Sequence, residues 1–281
     1  MRTARRTATA LVMAGILVTG MSACGGDDDD TAAEDTGDDT SSDGSGLDSS
    51  ATTAASALAS PDFCEGFHNL DTAFANAPED PAAMESFLAE EVTPNVALIE
   101  ANVPTEISGG IETMLGAVEQ VQSTGDTSAF ESPEFMAAQG EVYPYLAEGC
   151  GWQPLEVSGV DFAFEGVPTE LEAGMTAVTF TNDSASGEIH EIALLKLADD
   201  ADITLDELLA LPQEEAEQYL DPEVPPAFAF ALPGQTGGVT TELVPGEYVY
   251  ACFIPTGTTM EAEGTGVPHF MEGMAGELTV T

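Results

Sequence analysis

Two stretches near the C-terminus decide the fold of the second half of this chain: PGEYVYAC at residues 245–252 and GVPHFMEGMAG at residues 266–276. The first has the aromatic and β-branched residues of a strand and ends in a cysteine. The second leads into a last strand. In the rest of this half of the chain, apolar runs separated by Gly, Pro and Asn also predict strands. With these two stretches included, the predicted strands are residues 157–164, 176–181, 189–197, 239–244, 248–253 and 277–281. So many short strands indicate an antiparallel sandwich or barrel.

Helical signals dominate the part of the chain before Trp152. Ser60-Pro61, Asp80-Pro81 and Ser132-Pro133 each combine a capping residue with a proline, as at a helix start. We therefore expect a small helical domain at residues 61–152. A second helical stretch near 200–235 is expected to be an excursion from the sandwich. The predicted class is α+β multidomain, a helical bundle followed by a β-sandwich at residues 153–281.

The N-terminus resembles an export signal. Arg2, Arg5 and Arg6 precede a short apolar run that ends in Ser22-Ala23-Cys24. Small residues before a cysteine resemble the lipobox of bacterial lipoproteins, so residues 1–24 are expected to be a lipoprotein signal peptide with its lipobox, whose cleavage leaves the lipidated Cys24 as the new N-terminus. The alternative is an ordinary signal peptide with an incidental cysteine. The resemblance implies anchoring at the outer face of the cytoplasmic membrane.

Two further features follow from an exported location. Residues 25–60 are rich in Gly, Ser, Thr and Asp without an aromatic side chain, which predicts a disordered acidic tether. Cys64 and Cys150, 86 positions apart, are expected to form a disulfide that stabilises the helical domain. Cys252 then remains as a free thiol.

The charge of the chain excludes several functions. It has 51 acidic residues against 4 basic ones, and a formal net charge of −47. Such a chain repels a phosphate backbone, which excludes nucleic-acid binding. Only three histidines are present, too few for a multicopper oxidase, a copper nitrite reductase or a His-rich metallohydrolase. The acidic surface indicates adaptation to high ionic strength, as in a halophile.

The second half contains the ligand types of a blue copper site. His190, Cys252 and His269 supply two imidazoles and a thiolate, and Met274 supplies a weak thioether. Each residue also has an ordinary explanation. Cys252 can be a buried apolar residue, His190 a surface histidine paired with carboxylates, and Met274 a core residue. Met271 is a rival axial ligand.

The order of these residues resembles that of cupredoxins such as plastocyanin. PGEYVYAC is similar to their penultimate strand. The stretch that runs from His269 through Met274 to Gly276 is similar to their ligand loop. Phe180-Thr181-Asn182, followed by His190, is similar to the strand pair that brings the first histidine. Cys252 and His269 are 17 positions apart, so residues 256–266 must loop out as an insertion. The resemblance implies one mononuclear type 1 copper bound by His190, Cys252, His269 and Met274.

Three functions remain open on the sequence alone. The resemblance favours a membrane-anchored electron carrier that docks a redox protein through residues around His269, the imidazole expected nearest the surface. A copper-binding module for delivery or storage is the second. The third is a metal-free cupredoxin-like interaction domain. No catalytic triad, phosphate loop or dinucleotide fingerprint is present, so an enzyme is not expected.

Overall fold

The computed structural model describes residues 58–75, 77–78 and 80–281, and these residues belong to one compact unit. The expected signal peptide at 1–24, the lipidated Cys24 and nearly all of the tether at 25–60 lie outside the described residues. The described part contains both helices and β-sheets, which confirms the mixed α+β class. None of its helices combines the length and the apolar character needed to cross a membrane.

Five helices precede the sheets. They are α1 (Pro61–Ala75), α2 (Pro81–Phe87), α3 (Thr93–Asn102), α4 (Ser108–Thr124) and α5 (Pro133–Cys150), with a π-helical turn at Leu88–Val92 before α3. The three cap-plus-proline signals mark the starts of α1, α2 and α5. At α5, the Ser132 side chain accepts the backbone N–H of Phe135. A disulfide joins Cys64 to Cys150 and so ties α1 to the end of α5.

In the described residues, nine strands form two sheets. They are β1 (Gln153–Val160), β2 (Ala163–Glu165), β3 (Glu170–Leu171), β4 (Gly174–Asn182), β5 (His190–Lys196), β6 (Ala227–Ala231), β7 (Thr236–Leu243), β8 (Gly246–Ala251) and β9 (Ala275–Val280). One sheet has the order β2-β1-β4-β7 and the other β3-β9-β8-β5-β6. Most neighbours are antiparallel, but β1 pairs with β4, and β3 with β9, in parallel.

The expected helical excursion is shorter than predicted. Short helices α6 (Leu205–Leu209) and α7 (Gln213–Ala216) are present, but residues 227–231 form strand β6 beside β5. The excursion therefore ends before β6, because alternate side chains of AFAFA enter the core. Its helices cover the outer face of the second sheet through Leu208, which packs on Leu195 and Val249.

Two cores meet at the first sheet. Between the sheets, Leu155, Val157, Val178 and Phe180 face Ile192 and Leu194, and this core also contains Cys252 and Met274. A second core fills the helical region and includes Ala177 of β4. The helices therefore pack directly on the outer face of the first sheet.

The contact between the helices and the first sheet includes buried polar groups. Asp71 of α1 accepts hydrogen bonds from the Tyr143 hydroxyl at 2.8 Å and from the Thr240 backbone N–H at 2.9 Å. Burial raises the pKa of Asp71 to about 6, against the opposing effect of these hydrogen bonds. In the second sheet, Lys196 at the end of β5 is also buried, and its ammonium pairs with Asp199 and Asp221.

Candidate metal centre

The ends of three strands bring the expected ligands together. His190 is the first residue of β5, and Cys252 directly follows β8. His269 begins a 3₁₀ turn, His269–Glu272, and Met274 follows that turn, directly before β9. Since β8 pairs with both β5 and β9, these positions lie at the same end of the second sheet.

The two imidazoles and the thiol converge on one point. Nδ1 of His190 lies 3.0 Å from Nδ1 of His269, and Sγ of Cys252 lies 3.3 Å from Nδ1 of His269. Ligand atoms of all three residues lie within 4.8 Å of one another. Each of the three residues has 0% of its surface exposed. The group is thus a closed His–Cys–His site beneath the surface.

The long interval between Cys252 and His269 is closed at its base. Pro255 and Pro268 form an isolated β-bridge, and the Thr256 backbone N–H donates to the Val267 carbonyl at 2.9 Å. Residues 256–266 therefore form a loop between the two ligands, and this loop folds back to place the Gly257 N–H on Glu188. The Phe270 N–H also donates to the Cys252 carbonyl at 2.9 Å. These bonds hold Cys252 and His269 side by side despite their separation in sequence.

Met274 is tied to the same backbone. Its N–H donates to the His269 carbonyl and its carbonyl accepts the Cys252 N–H, at 3.1 and 3.0 Å. Its side chain is fully buried, whereas that of the rival Met271 is 63% exposed. Burial within the same core as Cys252 favours Met274 as the axial thioether.

A carboxylate determines the tautomer of His269. Nε2 of His269 lies 2.8 Å from Oε2 of Glu188, and the same oxygen accepts the Gly257 N–H at 2.9 Å. Burial raises the pKa of Glu188, but these two hydrogen bonds outweigh it and leave the pKa below its usual value. An ionised carboxylate only accepts, so His269 carries its proton on Nε2 and directs the lone pair of Nδ1 at Cys252 and His190.

Burial also determines the protonation of the other two ligands. It lowers the pKa of His190 to about 4, assisted by His269, so this imidazole is neutral at pH 7. Burial and the nearby Glu191 charge raise the pKa of Cys252 to about 12. The thiol is therefore protonated until an ion displaces its proton.

The arrangement fits a copper ion. A first-row metal lies about 2.0 Å from an imidazole nitrogen and about 2.3 Å from a thiolate, which sets such ligand atoms roughly 3.3–3.7 Å apart. Two of the three separations, 3.0 and 3.3 Å, need only a small expansion, and the third, between His190 and Cys252, is within 4.8 Å. Two imidazoles and one thiolate form the trigonal donor set of a type 1 site. The group of His190, Cys252 and His269 is compatible with that site, as the resemblance to cupredoxins implied.

Some expectations need correction. His190 is not a surface histidine paired with carboxylates, because its ring is fully buried and its Nε2 has no hydrogen-bond partner among the described residues. His269, which we expected to be the imidazole nearest the surface, is fully buried, and its Nε2 contacts Glu188. His68 lies away from the site and contacts Thr240.

Three further residues support the site, and among them only Asn182 belongs to the stretches that resemble cupredoxins. The Phe162 ring packs against both imidazoles, with centroid distances of 6.3 Å to His190 and 5.2 Å to His269. Asn182 is fully buried and donates to the carbonyls of Glu188 and Ala231, which fixes the loop before His190. Glu188 completes the set. An Asn at the end of a strand before a ligand was a usable signal, but one acid among 51 was not.

Comparisons with solved structures find blue copper proteins over part of the chain. Auracyanin B is 26% identical over 46% of this chain and 88% of its own, with a TM-score of 0.31. Auracyanin from Roseiflexus castenholzii is 24% identical over 46% of this chain and 97% of its own, with a TM-score of 0.31. Auracyanin A from Chloroflexus aurantiacus, a "blue" copper protein, is 27% identical over 46% of this chain and 98% of its own, with a TM-score of 0.28. No protein-family model and no curated protein matches the chain.

Proposed function

We propose that this protein binds one copper ion through His190, Cys252, His269 and Met274 and transfers single electrons between redox proteins. One observation carries the proposal: Nδ1 of both histidines and Sγ of Cys252 converge in a pocket closed to solvent. Copper held there would supply a Cu(II)/Cu(I) couple. The chain is then an electron carrier and not an enzyme.

The surroundings of the site support rapid electron exchange. Two core-lined sheets and the ring of Phe162 hold the ligands, so little rearrangement accompanies a change of oxidation state. Full burial of all three ligands also favours electron transfer over copper delivery, since delivery requires that a partner's ligands reach the ion. The pairing of two imidazoles with a thiol is better explained by a metal than by a metal-free interaction domain.

An apolar surface lies beside His269. Val267 and Met271 are 42% and 63% exposed, and the half-buried Pro268 and Phe270 lie between them in sequence. Such a small apolar surface suits the brief docking of a redox protein, whose interfaces are weak and small. We place this encounter at the outer face of the cytoplasmic membrane, with Cys24 as the lipid anchor.

Copper titration of the full chain tests this function. We expect one Cu(II) per chain and an intense visible thiolate-to-Cu(II) band that a one-electron reductant removes and an oxidant restores. Cys252→Ser and His190→Gln should abolish the band. His68→Gln is the matched control, because it changes the remaining histidine, and it should retain the band. Stoichiometric binding without a thiolate band, or a band that survives Cys252→Ser, would contradict the proposal.

A further inference from the structure

Glu188 links the loop before β5, the insertion and His269. Its carboxylate oxygen Oε2 receives Nε2–H of His269 at 2.8 Å and the Gly257 N–H of the insertion at 2.9 Å. The adjacent backbone adds a bond from the Ile189 N–H to the Thr258 carbonyl at 2.9 Å. The Glu188 side chain is 14% exposed. A largely buried negative charge therefore lies against the outer edge of a proposed copper ligand.

The hydrogen bond from His269 has two physical consequences for that ligand. It keeps the proton on Nε2, so that the lone pair of Nδ1 faces Cys252 and His190 without the cost of selecting a tautomer. It also gives the imidazole more negative character and makes it a stronger donor to a metal. The first effect favours metal binding in either oxidation state, and the second favours the oxidation state with the higher charge.

We propose that Glu188 is a positioning residue of the copper centre: its carboxylate fixes the ring of His269 and lowers the reduction potential by stabilising Cu(II) relative to Cu(I). This inference rests on the proposed function. It assigns a role to one acid among many because no other described carboxylate is hydrogen-bonded to a ring nitrogen of His190 or His269.

The location of Glu188 separates its effect from that of the general acidic surface. Exposed charges act weakly on a buried site, and salt screens them within about 10 Å at 0.1 M and about 3 Å at 1 M. Glu188 is in direct contact with His269, so salt cannot enter between them. Its influence on the potential should therefore persist at high ionic strength.

Reduction potentials of copper-loaded variants test the inference. Glu188→Gln keeps an acceptor for Nε2–H but removes the charge, and Glu188→Ala removes both. Loss of such a partner typically weakens metal affinity by about 10- to 100-fold. If that loss falls on Cu(II), the potential rises by about 60–120 mV, since a tenfold change is 59 mV for one electron. Glu272→Gln is the matched control, because Glu272 is exposed and lies three residues after His269.

We expect the potential of Glu188→Gln to exceed that of wild type at both low and high salt, while any shift in Glu272→Gln disappears at high salt. In the copper-free chain, imidazole nitrogen NMR should report Nε2–H for His269 in wild type and a mixture of tautomers in Glu188→Ala. Equal potentials and equal tautomers in wild type and both Glu188 variants would overturn this inference alone. Failure of wild type to bind copper would instead overturn the proposed function, and the copper role of Glu188 with it.

Discussion

At the scale of single residues, Met274 tests the axial ligand. Met274→Leu conserves volume, so the fold should lose less than about 1.5 kcal/mol. Without the thioether, Cu(II) loses a weak donor and Cu(I) is relatively favoured, so the reduction potential should rise while the thiolate band remains. Voltammetry of the loaded variant measures the shift.

Met271→Leu is the matched control for this experiment, because Met271 is 63% exposed. We expect its potential to equal that of wild type. A changed reduction potential in Met271→Leu, together with an unchanged potential in Met274→Leu, would reverse the assignment of the axial ligand.

Asp71 provides a second test at the residue scale. The folded chain retains the Asp71 proton up to a pKa of about 6, above the ordinary value of 3.8. The contribution of this group to stability is therefore complete below pH 3.8 and is lost as the pH rises through about 6. The pKa difference corresponds to at most about 3 kcal/mol.

Urea unfolding of wild type and Asp71→Asn between pH 4 and pH 7 measures this effect. We expect the stability of wild type relative to the variant to fall across that interval. Glu65→Gln, which removes an exposed charge from the same helix, should show no such change. Parallel pH profiles for wild type and Asp71→Asn would show that burial does not perturb Asp71.

Residue types, their order and the resemblance to cupredoxins were enough to predict that His190, Cys252 and His269 form one group, because the chain has only three histidines and four cysteines. Glu188 could not be predicted. Its role depends on how residues 256–266 fold back to place the Gly257 N–H beside it, and this is a tertiary contact without a local sequence pattern.

At the scale of elements, the contact of α5 with β7 can be tested at a glycine. A Cβ at Gly238 would collide with the ring of Tyr143. Gly238→Ala should therefore destabilise the fold by about 1–3 kcal/mol, as overpacking does. Gly116→Ala, in a helix and with open space around it, should be neutral or stabilising.

Denaturant unfolding measures both glycine variants, and the thiolate band of the loaded chain checks that the copper site is intact. A fully stable Gly238→Ala variant would mean that the helices do not pack on the first sheet as described.

The helix starts were predictable because capping residues and prolines act locally. Two features were not. AFAFA in β6 follows two prolines and is too short to distinguish from the excursion before it. The outer face of β7 carries small polar residues and glycine, a pattern typical of a solvated surface, yet Thr240 is 3% exposed because α1 and α5 cover it.

At the scale of the whole molecule, charge repulsion should govern stability. The chain has a net charge of −47, and salt reduces repulsion between exposed carboxylates. We expect the melting temperature at pH 7 to rise as NaCl increases from 0.05 to 1 M, and to rise less at pH 4, where part of the carboxylates is protonated. Thermal unfolding followed by circular dichroism measures both series. A melting temperature that is independent of salt at pH 7 would contradict the proposed adaptation to high ionic strength.

The elements around the sandwich also surround the buried site. Helices cover the outer face of one sheet, the excursion covers that of the other, and the end of the sandwich holds the ligands beneath Phe162 and the insertion. The apolar surface at Val267 and Met271 then adjoins the site.

X-ray absorption at the copper edge of the Cu(II)-loaded full chain measures the ligands of the copper ion. We expect one short sulfur ligand and two imidazole nitrogens around each copper, with the sulfur lost in Cys252→Ser. A shell of oxygen and nitrogen ligands without a short sulfur in wild type would contradict this expectation, because copper would then be bound somewhere other than at Cys252.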